Sequence, residues 1–254
     1  MSKPRRPHKT GANPRDAMRR KFTFELHKVA ANYSLAISRL KRALPVDDLF
    51  WLFPTLFPDR TVLERAYGPA FPPQVAKLFS LSPQYAPAEA LTEVIWAVCR
   101  CLQYGTELRD FVTMREEFER SFLRAAKEDC NKLLRAVERH FGSSFWLIEN
   151  KLSTMQTWEG IDEARRLARG YEEELAGNWL GKVILRFVSR RIEATGVKDH
   201  LRSELNRLLA DSASPFFESY LRAKIFQQPT ILTEDVPATL LFEGHAGIID
   251  LWKH

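Results

Sequence analysis

No apolar stretch in the 254 residues reaches the roughly 18 needed to cross a bilayer. The longest candidate, Leu49 to Phe57, is interrupted by Pro54, and the N-terminus lacks the apolar core of a secretory signal. The chain therefore reads as a soluble, cytoplasmic protein with no membrane partner. Cysteine is scarce: Cys99, Cys101 and Cys130 form an odd set inside helical pattern, which argues against a disulfide framework and fits a reducing compartment. On a helix Cys99 and Cys101 point about 200° apart, too divergent to share a metal. The six histidines form no His-x-x-x-His or His-Glu-x-x-His pair, and no carboxylate cluster has metal-ligand spacing. Walker loops, Gly-x-Gly-x-x-Gly fingerprints and Gly-x-Ser-x-Gly elbows are missing too. No metal and no cofactor is expected.

Proline is absent from residues 88 to 214, and uninterrupted helices are allowed there. The stretch 106–141 places Leu108, Phe111, Phe118, Phe122, Ala126, Cys130, Leu133, Val137 and Phe141 in steps of three, four or seven, which predicts one long helix. Gly142 ends it, and Ser143 or Ser144 caps the next helix, whose buried stripe is Trp146, Leu147, Ile148, Leu152 and Met155. Further helices are expected over 22–44, 89–104, 178–194 and 197–211, from Ser214–Pro215 onward, and over 237–254. No strand pattern stands out. The predicted fold is all-α, built of stacked helical hairpins in a helical-repeat-like or irregular multi-helix bundle.

Eight of the fourteen prolines fall in residues 45–87. This segment is too aromatic to be a flexible linker, and it is expected to lie as short helices on a helical body spanning 88–227. Its aromatic residues Phe50, Trp51, Phe53 and Phe57 are either buried by that packing or, where exposed, a partner surface. The net charge of +6 is carried by one end of the chain. Residues 1–21 hold eight Lys or Arg and one acid, leaving the other 233 residues at −1. Such a tail, with Arg5, Arg6, Arg19 and Arg20, suits nucleic acid or another acidic surface, and its prolines and glycine predict disorder.

The segment from Ile148 to Tyr171 has large apolar residues at Ile148 and Leu152, the turn WEGIDEA, and small residues Ala164 and Ala168 where a second helix must approach closely. It resembles one tetratricopeptide repeat, with no second copy at that family's spacing. The resemblance implies peptide or protein binding. A shorter match is Arg135-Ala-Val-Glu-Arg-His140, whose Arg-x4-His spacing is similar to the motif of the HEPN ribonucleases. That similarity implies a helical dimer cleaving RNA without metal, with His140 moving protons and Arg135 stabilising phosphorane-like charge. On bare physical grounds, His140 is a cation set against a helix C-terminus.

The leading expectation is a macromolecule-binding helical scaffold or adaptor, with a helical ribonuclease as the alternative. The final stretch, PATLLFEGHAGIIDLWKH, carries Leu240, Leu241, Ile248, Ile249, Leu251 and Trp252 and stops without a cap. It is expected to meet a protein partner, or further chain beyond His254, unless it docks on its own domain.

Overall fold

The computed structural model describes residues 16–17, 20, 24, 33–78, 88–193, 198–210, 215–226 and 247–249. Among these are eleven α-helices, one 3-10 turn and no strand, as the 3.6-residue stripes require. The helices are α1 (Tyr33–Ala43), α2 (Val46–Leu56), α3 (Arg60–Tyr67), α4 (Ala90–Leu102), α5 (Gly105–Leu123) and α6 (Lys127–Phe141). They continue as α7 (Phe145–Trp158), α8 (Ile161–Glu174), α9 (Trp179–Ile192), α10 (Lys198–Leu209) and α11 (Pro215–Phe226). From α5 to α9 each helix packs on the next, and α9 also touches α7, α10 and α11.

The expected long helix over 106–141 is in fact two. Ala125 takes a left-handed φ of 56°. Ala125 N–H donates to the Phe122 carbonyl and Ala126 N–H to the Ser121 carbonyl, both at 3.0 Å. That pair of bonds is a Schellman closure with alanine standing where glycine is usual. A single helix would be about 54 Å long and would leave half its stripe uncovered. Folding back places Phe111 and Phe118 of α5 in one core with Cys130, Leu134 and Val137 of α6 and Trp146 and Leu147 of α7. The next corner follows the sequence more closely: Gly142 has φ 73°, and Ser144 Oγ accepts from Leu147 N–H at 3.1 Å.

A second core joins Ile148 and Leu152 of α7, Ala168 and Tyr171 of α8, and the inner faces of α9, α10 and α11. α7 thus buries opposite faces in two cores, which is why four consecutive residues, Phe145 to Ile148, are all buried. The first core gathers α1 to α4 with Tyr104, Leu108 and Ile248. Ile248 is fully buried there, and Ile249 packs beside it. The rest of the C-terminal stretch, Trp252 included, lies outside the described residues, as do most of 22–32 and 79–87.

The proline-rich segment binds the three cores together. Phe71 packs against both the first and the α5–α7 core, 5.0 Å from the rings of Phe111 and Phe141. Val75 and Leu78 then enter the α7–α11 core, while the Pro72 carbonyl accepts from Ser143 N–H at 2.8 Å. Pro54 does not interrupt its apolar run as expected, since it sits inside α2. Pro54 and Phe50, four residues earlier, are both exposed, so the carbonyl that loses its amide donor faces water.

Candidate functional site

Asn178 helps to set up a concave surface between three of the described helices. Its side chain accepts from Gly181 N–H at 2.9 Å to cap α9, and its amide donates to the Leu78 carbonyl. The tight 175–178 connection returns α9 antiparallel to α8, so the start of α8 meets the end of α9. There Arg165 grips Glu193 with two parallel bonds, Nε to Oε1 at 3.0 Å and Nη2 to Oε2 at 2.8 Å. Gln156 of α7 closes the same end by donating to the Ile192 carbonyl at 3.0 Å. Between the three helices runs a groove of about 740 Å³.

Helical spacing puts Arg165, Arg169 and Glu172 on one wall and Arg186, Arg190 and Glu193 on the other. Leu152, Ile161, Ala164, Ala168 and Ile192 supply apolar lining, and Asp162, Arg166 and Ser189 complete the polar lining. Five arginines face three carboxylates. Outside the lining, Glu204 of α10 supplies a further carboxylate that Arg186 and Arg190 share, the first at 2.6 Å. Arg166 is held by Glu163 at 2.7 Å on its own helix. Arg169 has no hydrogen bond or ion pair among the described residues. The Arg165 hydrogen bond holds the Glu193 carboxyl below its ordinary pKa and raises that of the guanidinium.

The sequence-predicted residues lie elsewhere. Arg135 and His140 are both exposed on α6. Gly142 N–H still donates to the Glu138 carbonyl at 2.9 Å, so the helix stays α-type to its end and the two side chains remain about 140° apart. They do not converge within one chain. Phe53 and Phe57 are core residues, each 1% exposed, with their rings edge-on to Trp96 at 5.1 and 6.1 Å. Trp51 is half-buried, and its Nε1 donates to Asp48 at 2.7 Å. Of this aromatic set only Phe50 is exposed, at 49%. Arg20 is exposed, whereas Arg5, Arg6 and Arg19 lie outside the described residues.

Other polar groups are structural. Lys41 and Glu93 meet at 2.5 Å with both side chains 3% exposed. The second Glu93 oxygen accepts from Ala88 N–H at 2.9 Å, so the pair ties the entry to α4 onto α1. Burial lowers the Lys41 pKa against the pull of Glu93. The three cysteines are free and buried, and burial pushes the Cys99 and Cys101 thiols up to about 11. Among the described residues no group of three or more His, Cys, Asp or Glu is placed to hold a metal ion, and no helix is long and apolar enough to cross a membrane. Family models, curated proteins and solved structures alike yield no match to this chain.

Proposed function

We propose that this chain is a helical scaffold that binds another macromolecule, using the groove between α7, α8 and α9. The observation that carries this reading is the concentration of five arginines around an apolar-lined concavity on a body whose residues 22–254 sum to −1. Like charges four residues apart on a helix repel by a few tenths of a kcal/mol. Arg165 with Arg169, and Arg186 with Arg190, accept that cost twice on facing walls. Glu193 and Glu204 offset part of that cost, and Arg169, which no described residue engages, is left to meet a bound partner. The α7–α8 hairpin, where the tetratricopeptide resemblance lies, forms one side of the groove, and that resemblance also implies peptide or protein binding.

The reading is tested by placing a photo-crosslinking side chain at Glu172, inside the groove, and separately at Glu128 on exposed α6. Irradiation in the native cell is expected to give discrete adducts from position 172 and none of the same size from position 128. Identical adducts from both positions, or none from 172, refute it.

A further inference from the structure

The α7–α8 hairpin carries a second hollow, of about 310 Å³, which shares only Arg166 with the groove. We infer that this hollow receives a basic side chain, lysine or arginine, from a segment of a partner protein. Three observations lead there.

First, a tyrosine is buried at the hollow without a hydrogen bond. Tyr171 lines it at only 8% exposure, and its hydroxyl bonds to none of the described residues. Buried polar side chains are ordinarily hydrogen-bonded, so a group left in this state calls for a ligand. Burial first, and then the Glu138 and Glu174 carboxylates, raise the Tyr171 pKa. The hydroxyl therefore stays neutral near pH 7 and keeps its oxygen lone pairs for a donor.

Second, the charge beside that hydroxyl is negative and not all committed. Arg166 holds Glu163 at 2.7 Å, and Lys151 holds Glu138 at 2.6 Å. Glu174 remains, with no hydrogen bond or ion pair among the described residues. It ends α8, whose last turn has no basic residue, at the pole where the helix dipole disfavours an acid. An incoming ammonium or guanidinium relieves that arrangement, since it can donate to the Glu174 carboxylate and to the phenol oxygen together.

Third, the floor suits the methylene stem of such a side chain. Met155 and Leu167 are half-buried in the lining. Gly170 stands in the interior of α8, where glycine destabilises a helix relative to alanine. Nothing lies within 4 Å of the position its Cβ would take, so packing within the chain does not require a glycine there. The open space above it admits a stem that lies on apolar surface while its charged head reaches Glu174. A phosphate or carboxylate would be repelled by Glu174, and a purely apolar group would leave both Glu174 and Tyr171 unmet.

The test is a nuclear magnetic resonance titration of the full chain labelled with 13C at its methionine methyl groups, the Met155 signal being assigned by its loss in Met155→Leu. The probe is the capped pentapeptide Ala-Leu-Arg-Leu-Ala, and the control replaces its arginine by citrulline, which keeps the shape and loses the charge. The arginine peptide is expected to shift the Met155 signal saturably, and the citrulline peptide to bind about tenfold more weakly or not at all. Tyr171→Phe and Glu174→Gln should each weaken binding by about threefold or more. Gly170→Leu, which fills the hollow, should abolish it. Each variant is accepted only if its melting temperature stays close to that of the wild type.

No shift at Met155, equal binding of the citrulline peptide, or unchanged affinity in both Tyr171→Phe and Glu174→Gln overturns the inference. Replacing Arg5, Arg6, Arg19 and Arg20 by glutamine, with no peptide added, is expected to leave the Met155 signal in place. If it moves, the occupant is the chain's own basic tail and the assignment to a partner falls.

Discussion

Replacing Gly142 by alanine probes the contact that the three-core arrangement depends on, where the proline-rich segment crosses the α6–α7 corner. Gly142 has φ 73° and ψ −141°, close to a region that only glycine occupies without strain, and holding another residue there costs about 1–3 kcal/mol. An added Cβ would lie 2.6 Å from the Pro72 carbonyl oxygen and 3.1 Å from the Pro73 Cα, both backbone atoms. Relieving that overlap requires moving one backbone away from the other. The Ser143 N–H to Pro72 hydrogen bond at 2.8 Å is the first interaction lost, worth about 1 kcal/mol. The reduced freedom of the unfolded alanine chain offsets about 0.4–1 kcal/mol.

The net expectation is a loss of about 1–3.5 kcal/mol. For a domain of this size each kcal/mol moves the midpoint by about 2–4 °C, so melting should fall by about 2–14 °C. The assay is thermal melting followed by far-ultraviolet circular dichroism, with urea unfolding as a check on the slope. A loss below about 0.5 kcal/mol, the usual scatter of surface substitutions, would mean that the Pro72 backbone does not rest on this corner. The route by which Phe71, Val75 and Leu78 reach separate cores would then be wrong.

The converse substitution, Ala125→Gly, removes a left-handed alanine from the α5–α6 closure; stability should rise by about 1 kcal/mol, and a fall would show that the two helices are not closed as described. Lys41→Met strands Glu93 in the first core and should cost about 3–5 kcal/mol, part of it recovered by adding Glu93→Leu; a cost below about 1 kcal/mol would place the pair in water. Native protein at about pH 8 should react slowly with a thiol reagent and take up three equivalents only after denaturation, because the cysteines are buried and thiolate formation is suppressed; rapid native labelling would contradict that burial. Because the Glu193 pKa is depressed by Arg165, the pair's contribution is complete above the unfolded carboxylate value of about 4.3 and fades as pH falls through the lower folded value. The stability gap between wild type and Glu193→Gln should therefore narrow on acidification, and a gap that widens would reverse the assignment.

Helices with a single apolar face and a capping residue were legible from the sequence to within a residue or two. Asn178 opens α9 and Pro215 opens α11 where the pattern of caps and prolines says a helix should start. The reading failed where the governing residue was ordinary. Nothing in Leu-Arg-Ala-Ala-Lys distinguishes Ala125 from its neighbours, and only the chance to cover Phe111 and Phe118 with α6 makes a left-handed alanine worth about 1–2 kcal/mol of strain. Pro54 misled in the other direction: near the end of a helix and facing water, it interrupts little. The burial of Phe53 and Phe57 was anticipated by the density of aromatics in 45–87, but which ring stays outside depends on the side from which α4 packs on α2.

The groove was hidden for a related reason. On α8 alone, Arg165 and Arg169 look like part of a solvated face, and so do Arg186 and Arg190 on α9. What converts them into one site is the four-residue connection 175–178, which turns two unremarkable stripes toward each other. A local signal was nonetheless present. A solvated helix usually alternates sign at four-residue spacing, because like charges there repel, and two consecutive helices instead keep arginine at both positions. The fold offsets that repulsion with Glu193 on one wall and Glu204 against the other, and leaves Arg169 unengaged by any described residue. Glu193 is committed at one end and Glu204 shared at the other, while Asp162 and Glu172 also stand in the lining. On the proposed reading it is Arg169, which none of the described residues engages, that a partner would meet, rather than the Arg135–His140 pair or the buried aromatics.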